Sequence, residues 1–318
     1  MNITELIPFR AQFLAEIRAF FAAAQVLEVD TALLRPYGVS DAQLHNLATD
    51  TGYLITSPEY AMKTLLCQGA PDIYQLSHVF RGEELGRKHR QEFMLLEWYR
   101  LGFDLPKLMQ EVADLFAYLL KRPLHIRRRS YGELFQHYLH IDCFVISDAD
   151  LAAFCGEKIP ESRAWQLDRD GYLDLLFTHY IEAQLGKDCL EFVYAYPASQ
   201  AALARLERNA AGQWVAARFE AYIDGIELCN GFHELGNAAE QRARFEADNR
   251  ERAALGLPPI AIDEDFLQAL EQGLPDCAGV AVGIDRLMMI AGNAEHIQEI
   301  QYVSTHRATH KASLYVLP

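Results

Sequence analysis

Residues 80–99 read FRGEELGRKHRQEFMLLEWY and carry the features that decide the fold. A run typical of a β-strand, IYQLSHVF, ends at the start of this stretch, and a second run, EFMLLEWYRLGF, begins near its end. Two such runs joined by a polar segment predict an antiparallel hairpin with a long charged tip. We therefore expect an antiparallel sheet with a candidate ligand site on this hairpin.

The charged tip contains the groups that a bound nucleotide triphosphate requires. Arg81 ends the first strand, where its guanidinium could contact a phosphate through two hydrogen bonds and stabilise charge at the α-phosphorus. Glu83 could accept from the adenine amino group, and Phe93 could stack on the ring. An exposed hairpin tip held by salt bridges explains these residues equally well, so this run alone leaves both interpretations open.

Two more residues of the second strand lie on the same face as Phe93. Glu97 and Tyr99 lie four and six positions after it, and side chains two apart in a strand point to the same side. An acidic and a phenolic group side by side can hold an ammonium group. We therefore expect the substrate to lie next to the nucleotide on this face.

A second hairpin is predicted over residues 214–235. The runs WVAARFEAYI and IELCNGFHEL flank Asp224-Gly225, a pair that supplies the positive φ angles of a two-residue turn. This turn would pair Tyr222 with Glu227 and place Glu220 on the same side, so two carboxylates could bind Mg²⁺. Surface carboxylates with basic neighbours are the alternative. A further alternating set that could enclose a lysine-like side chain comprises Asn230, Phe232 and Glu234.

A third element, GVAVGIDRL, covers residues 279–287. Glycines four positions apart let a strand pass close to a ligand, and Arg286 follows at the start of a helix. This arginine could cover the second face of adenine and reach the γ-phosphate. The spacing matches neither a dinucleotide-binding GxGxxG motif nor a P-loop.

The rest of the chain predicts helices around these hairpins. An apolar stripe from Phe9 to Ala24 and a helix capped by Asp104 are the strongest patterns. Hairpins with separate helices predict an α+β fold with a mixed, mostly antiparallel sheet flanked by helices. We find no repeat or linker, so we expect one catalytic domain over residues 1–318.

The composition limits the classes of partner. The formal net charge is -15, which disfavours a nucleic-acid partner and favours cationic substrates or a basic protein segment. The sequence has no stretch of about 20 apolar residues and no leader pattern, so we expect a cytoplasmic protein without membrane contact. The six scattered cysteines lack zinc-site spacing, and we interpret them as free thiols.

Five segments in order resemble the class II aminoacyl-tRNA synthetases, and the resemblance covers nearly the whole chain. VLEVDT (26–31) is similar to the end of motif 1, TSPEY (56–60) to the amino-acid loop, and the first hairpin to motif 2. The second hairpin resembles the metal and lysine segment of the lysine branch, and GVAVGIDR (279–286) resembles motif 3. The resemblance implies a ligase that forms an aminoacyl-adenylate from ATP, with Mg²⁺, as a homodimer.

The resemblance also implies roles for individual residues. Arg81 and Arg286 would be catalytic, and Glu220 and Glu227 would bind Mg²⁺. Gly283 would also form part of the floor of the lysine pocket. The implied ATP site comprises Arg81, Gly82, Glu83, His89, Arg90, Phe93, Glu227, Leu228, Gly283 and Arg286. The implied substrate site comprises Ser57, Pro58, Glu59, Glu97, Tyr99, Asn230, Phe232, Glu234 and Ala281.

Within the lysine branch, the chain resembles truncated paralogues rather than tRNA-charging enzymes. Only a short helical lead precedes residues 26–31, so we expect no anticodon-binding OB-fold. The segments PASQAALAR (197–205) and PDCAGVAVGIDR (275–286) support this subgroup. It implies (R)-beta-lysine as substrate and elongation factor P, not tRNA, as acceptor. Ala281 stands where the tRNA enzymes have glycine, and its methyl group would reshape the amino-acid pocket.

Some positions depart from the family pattern. Ala32 replaces the motif 1 proline at the dimer interface, and Gly82 and Arg90 replace asparagines expected in the motif 2 loop. Three alternatives stay open: an enzyme that charges tRNA through its acceptor arm alone, a non-catalytic regulatory paralogue, and an asparagine-forming synthetase. The complete set of charged site residues argues against the second, and the acidic lysine pocket argues against the third.

Overall fold

A mixed sheet forms the centre of the protein in a computed structural model that describes residues 1–82 and 86–302. Nine strands of the described part belong to this sheet, and three short strands form a second one. The strands are β1 (Leu27–Glu28), β2 (Leu34–Arg35), β3 (Leu47–Thr49), β4 (Gly52–Leu54), β5 (Ile73–Phe80), β6 (Glu92–Leu101), β7 (Ile126–Ser130), β8 (Leu190–Pro197), β9 (Leu206–Arg208), β10 (Trp214–Ile223), β11 (Ile226–His233) and β12 (Cys277–Gly283).

Helices flank the sheet, and their starts follow from side-chain caps. Asn2 caps the first helix, which begins six residues before the predicted Phe9, and Asp104 caps the third as predicted. None of the described helices is long and apolar enough to cross a membrane. The helices are α1 (Ile3–Ala23), α2 (Glu59–Cys67), α3 (Leu105–Leu120), α4 (Tyr131–Leu139), α5 (Asp148–Lys158), α6 (Arg169–Leu176), α7 (Ala238–Ala254), α8 (Glu264–Gln272) and α9 (Ile284–Gly292).

The main sheet has the order β1-β5-β6-β12-β11-β10-β8-β7, with β9 paired to β10. Only the β1–β5 and β7–β8 pairs are parallel, and the other pairs are antiparallel. The α+β class and the mixed, mostly antiparallel sheet are therefore confirmed. Strand β12 lies between the two predicted hairpins, β5–β6 and β10–β11, so the three sequence elements come together in space although they are distant in the chain.

The second hairpin contains a β-bulge that the sequence did not predict. Tyr222 pairs with Glu227 and Ala221 with Cys229, so Leu228 is an extra residue on its strand. Leu228 and Cys229 are both buried in the main core. The bulge reverses the alternation, which is why Glu227 and Asn230 point to the same side of the sheet.

One face of the sheet packs on helices of the main core, and the opposite face carries the polar residues, beside a second core that β8 and β10 form with α4, α5 and α6. Leu96 and Trp98 of β6 lie in the core with apolar residues of α1, α3 and α9. Their strand neighbours Glu97 and Tyr99 point to the other side, as alternation requires. The helices therefore support a floor on which charged side chains from several strands are placed.

Candidate active site

A cavity of about 1220 Å³ lies on the polar face of the sheet. Ala281 stands in the middle of its floor, because β12 pairs it with Glu97 on one side and Asn230 on the other. The structure brings the whole predicted substrate set to this cavity: Ser57, Pro58, Glu59, Glu97, Tyr99, Asn230, Phe232, Glu234 and Ala281.

Glu97 is the centre of a buried polar network. Its side chain accepts from Ser57 Oγ at 2.6 Å and from Tyr99 Oη at 2.7 Å, and the residue is only 2% exposed. Ser57 Oγ also accepts from the backbone N–H of Glu59 at 3.0 Å, which fixes the start of α2. The carboxylate is therefore held in one orientation by two hydroxyl groups, one from the segment before α2 and one from its own strand.

Lys63 is a buried part of this site that the sequence analysis missed. Its ammonium group is fully buried and forms ion pairs with Glu59 at 2.7 Å and Glu234 at 2.5 Å. The spacing of four residues between Glu59 and Lys63 was a possible signal, since such pairs share a helix face. Lys63 thus joins α2 to the end of β11 and holds two substrate-site carboxylates in place.

Ionisation of the carboxylates of the site is unfavourable in the free protein. Burial and the neighbouring Glu59 raise the pKa of Glu97 to about 7. Burial raises the pKa of Glu234 to about 8, although Lys63 opposes the shift. Three carboxylates and one ammonium leave two negative charges when all are ionised. The pocket therefore has fewer cationic groups than carboxylates and suits a ligand that supplies the missing positive charge.

A smaller cavity of about 100 Å³ adjoins the first one, and Arg81, Glu227, Asn230 and Ala281 line both. Gly82 lines neither cavity, because its backbone N–H bonds to His45 O at 2.7 Å. Glu83 lies outside the described residues. The remaining members of the predicted ATP set all line the smaller cavity: Arg81, His89, Arg90, Phe93, Glu227, Leu228, Gly283 and Arg286. Gly283 does not reach the floor of the large cavity, because β12 ends there.

The two arginines of the predicted triphosphate site lie at this smaller cavity. The guanidinium carbon of Arg81 is 5.2 Å from the centre of the Phe93 ring. Arg286 enters from the N-terminal turn of α9 and donates to the backbone oxygens of Glu227 at 3.0 Å and Lys88 at 3.3 Å. Lys88 itself lines the cavity and was not singled out from the sequence.

Both carboxylates of the predicted metal pair have partners, and Glu227, which pairs with Arg286 at 3.4 Å, is held less closely than Glu220. Glu220 accepts from Tyr196 at 2.6 Å, and from Tyr222 and Arg218 at 2.5 Å each. Burial, followed by the charge of Glu220, raises the pKa of Glu227. Among the described residues, no three acidic, histidine or cysteine side chains could hold a metal alone. The pair fits Mg²⁺ bound to ATP, which needs only one or two carboxylates besides phosphate and water.

A buried ion pair behind the smaller cavity also escaped the sequence analysis. Asp285 accepts from the backbone N–H of Met94 at 3.0 Å and from Arg10 at 2.6 Å. Arg10 lies on α1 and also donates to Ile300 O at 2.9 Å. The pair ties the start of α9, and with it Arg286, to the strand that carries Phe93.

Comparison with known proteins agrees with this arrangement. A family model described as tRNA synthetases class II (D, K and N) matches residues 1–306. A Vibrio parahaemolyticus protein named elongation factor P–(R)-beta-lysine ligase is 46% identical over 302 residues, which cover 92% of this chain and 93% of the relative. Proteins of the same name from Avibacterium paragallinarum and Klebsiella pneumoniae are 46% and 45% identical, with coverage of 94% of this chain and 95% and 94% of the relatives.

Proposed function

The chain belongs to the class II tRNA synthetases of the D, K and N group, and we propose that it attaches (R)-beta-lysine to elongation factor P. Its family and its ligase relatives make it an ATP-dependent ligase. The observation that carries the proposal is the cavity floor. There, three carboxylates and a single lysine lie beside a cavity lined by Arg81 and Arg286.

The charge of the pocket matches the proposed substrate. (R)-Beta-lysine has one carboxylate and two ammonium groups, and the pocket has two negative charges in excess when fully ionised. Ammonium groups placed beside Glu97 and Glu234 would restore their ionised forms, since an opposite charge nearby favours ionisation. An amino acid with an uncharged side chain has only one ammonium group, so it would leave one of these buried carboxylates without a cation from the ligand and would bind poorly.

The first reaction step follows from the position of the arginines. The substrate carboxylate attacks the α-phosphorus of ATP, the bond to the bridging oxygen breaks, and pyrophosphate leaves with the electron pair. Arg81 and Arg286 stabilise the charge on the phosphates, so the protein supplies placement and electrostatics rather than a covalent nucleophile. Mg²⁺, held by Glu227 with Glu220 beside it, would neutralise phosphate charge when bound.

The second step forms an amide. A lysine amine of elongation factor P attacks the carbonyl carbon of the adenylate, and the carbon–oxygen bond to AMP breaks. The acceptor ammonium loses one proton before the attack and one as the amide forms, and both reach solvent. The ligase names of the relatives support elongation factor P as acceptor.

Four further parts of the proposal concern the whole protein. We propose one catalytic domain over residues 1–318, no use of tRNA, action in the cytoplasm, where translation factors occur, and a homodimer. The exposed apolar side chains of Leu27 and Leu34, at 56% and 46%, flank Ala32 near the open edge of the sheet and support pairing there.

Intact-mass spectrometry of the acceptor tests the proposal. Unmodified elongation factor P is incubated with the protein, ATP, Mg²⁺ and (R)-beta-lysine, and we expect a mass increase of one lysyl residue. Reactions without ATP or with the Arg286→Ala variant are the controls and should show no increase. An unmodified acceptor together with aminoacylated tRNA in a parallel reaction would replace the proposal with tRNA charging.

A further inference from the structure

The large cavity continues beyond the substrate pocket into a region that the proposed activation reaction does not use. This region, here called the outer lobe, is walled by α6, α7 and the loop at residues 37–44. Six carboxylate residues from these three segments line it: Asp41, Asp168, Asp170, Asp174, Asp248 and Glu251.

The outer lobe has a strong excess of negative charge. Thirteen acidic residues but only four arginines are among the described residues that line the whole cavity. Arg35 and Arg218 are paired with Asp263 and Glu220, respectively. Arg244 donates to the backbone oxygens of residues 202 and 204 and pairs with Glu240. Within the described part of the chain, none of the six outer-lobe carboxylates forms an ion pair with a basic side chain.

The carboxylates of the outer lobe act on one another across different segments. Burial raises the pKa of Glu251 on α7, and Asp168 at the start of α6 and Asp41 on the loop raise it further. Within α6, burial and the neighbouring Asp170 raise the pKa of Asp174 to about 6. Three chain segments therefore concentrate like charge around one opening, an arrangement that favours a cationic occupant.

Two buried polar atoms indicate that the occupant also forms hydrogen bonds. Tyr131 and Gln241 line the same cavity, and each residue is only 1% exposed. Among the described residues, the Tyr131 hydroxyl and Gln241 Oε1 have no hydrogen-bond partner. Buried polar atoms are normally paired, because an unpaired one costs about 1–3 kcal/mol. A ligand that supplies N–H groups would satisfy the Gln241 oxygen.

The identity of the occupant follows from where the other charges lie. Arg81, Lys88, Arg90 and Arg286 all border the smaller cavity, so the anionic triphosphate is placed there. A tRNA acceptor stem would bring phosphates against carboxylates whose charge no basic side chain compensates, which is unfavourable. A protein loop has N–H groups along its backbone, and a basic loop adds cationic side chains.

We propose that the outer lobe is the docking site for the basic loop of the acceptor protein that carries the target lysine. The loop enters between α6 and α7, and its backbone and basic side chains bind the acidic walls. The target lysine then extends along the cavity toward the adenylate. This inference rests on the proposed function and adds the surface that recognises the acceptor.

The test separates acceptor recognition from amino-acid activation. The Asp170→Asn/Asp174→Asn variant is compared with Glu157→Gln/Glu161→Gln, which removes the same charge from exposed positions on the segment 157–161 outside the cavity. Pyrophosphate exchange with (R)-beta-lysine measures activation, and transfer to unmodified elongation factor P measures the second step. A second variant, Asp41→Asn/Glu251→Gln, changes the lobe outside α6, so it distinguishes the loss of charge from a local packing defect in α6.

We expect both outer-lobe variants to retain exchange within about twofold while the acceptor KM in transfer rises about tenfold, with a weaker dependence on salt. The matched control should behave like the unmodified protein. An unchanged acceptor KM in both outer-lobe variants, or a loss of exchange equal to the loss of transfer, would overturn the docking site. Failure of the unmodified protein to modify elongation factor P would instead overturn the proposed function.

Discussion

Replacement of Glu97 by glutamine should weaken substrate binding and, at the same time, stabilise the free protein. The carboxylate accepts from Ser57 and Tyr99, and an amide of the same shape retains its oxygen but loses the charge that would pair with a substrate ammonium. A hydrogen bond to a charged group contributes about 1.5–3 kcal/mol. The KM for (R)-beta-lysine should therefore rise roughly 10- to 150-fold in pyrophosphate exchange.

The effect on stability has the opposite sign. The pKa of Glu97 is raised from an ordinary value of 4.5 to about 7, so the folded protein holds a proton that the unfolded chain releases as the pH rises. Ionised Glu97 thus costs the fold about 3 kcal/mol above pH 7, and this cost is absent below about pH 4. Glu97→Gln removes the cost.

Thermal or urea unfolding at pH 8 without ligand should show a higher midpoint for Glu97→Gln than for the unmodified protein. The exposed Glu157→Gln on α5 serves as control and should change neither stability nor KM. A Glu97→Gln variant that binds (R)-beta-lysine normally would show that Glu97 does not face the substrate. A variant of lower stability would show that the buried charge helps the fold.

Further predictions concern pH, selectivity and support of the ATP site. In exchange assays, the KM for (R)-beta-lysine should rise as the pH falls from 8.5 to about 6. Glu97 and Glu234, with pKa values of about 7 and about 8, take up protons over this range and lose the charge that binds ammonium. A KM that does not change with pH would contradict this prediction. Ala281→Gly should improve adenylate formation with α-lysine relative to (R)-beta-lysine by about 1–3 kcal/mol. An unchanged ratio between the two substrates would show that this methyl group does not contribute to selectivity. Arg10→Met should leave Asp285 buried without its partner and lower the unfolding free energy by about 3–5 kcal/mol. The more conservative Arg10→Lys should lower the unfolding free energy less. If Arg10→Met is as stable as the unmodified protein, the Arg10–Asp285 pair does not stabilise the fold.

The two hairpins illustrate what sequence patterns could predict. Strand alternation placed Glu97 and Tyr99 on one face, and the Asp224-Gly225 turn set the pairing of Tyr222 with Glu227. These features depend on local backbone geometry, which the sequence expresses directly. The bulge at Leu228 was not predictable, because no residue there demands it and only the packing of both Leu228 and Cys229 in the core explains it.

The groups that the sequence analysis missed depend on contacts between distant segments. Lys63 looks like an ordinary helix lysine until α2 docks against the end of β11 and buries it between Glu59 and Glu234. Asp285 and Arg10 are 275 positions apart, and neither lies in a pattern that relates them. Gly82 shows the converse, because its position in the motif predicted contact with ATP, whereas its backbone N–H donates to His45 O and the residue lines neither cavity.

Pyrophosphate exchange across a panel of amino acids tests the central claim most directly. That claim is that the acidic cavity and the adjoining arginines together activate a lysine-like acid as its adenylate. We predict the highest kcat/KM with (R)-beta-lysine, lower values with α-lysine, and no exchange with asparagine or with leucine. Equal or faster exchange with an amino acid whose side chain is uncharged would contradict the account. The acidic pocket would then not select substrates by a second ammonium group.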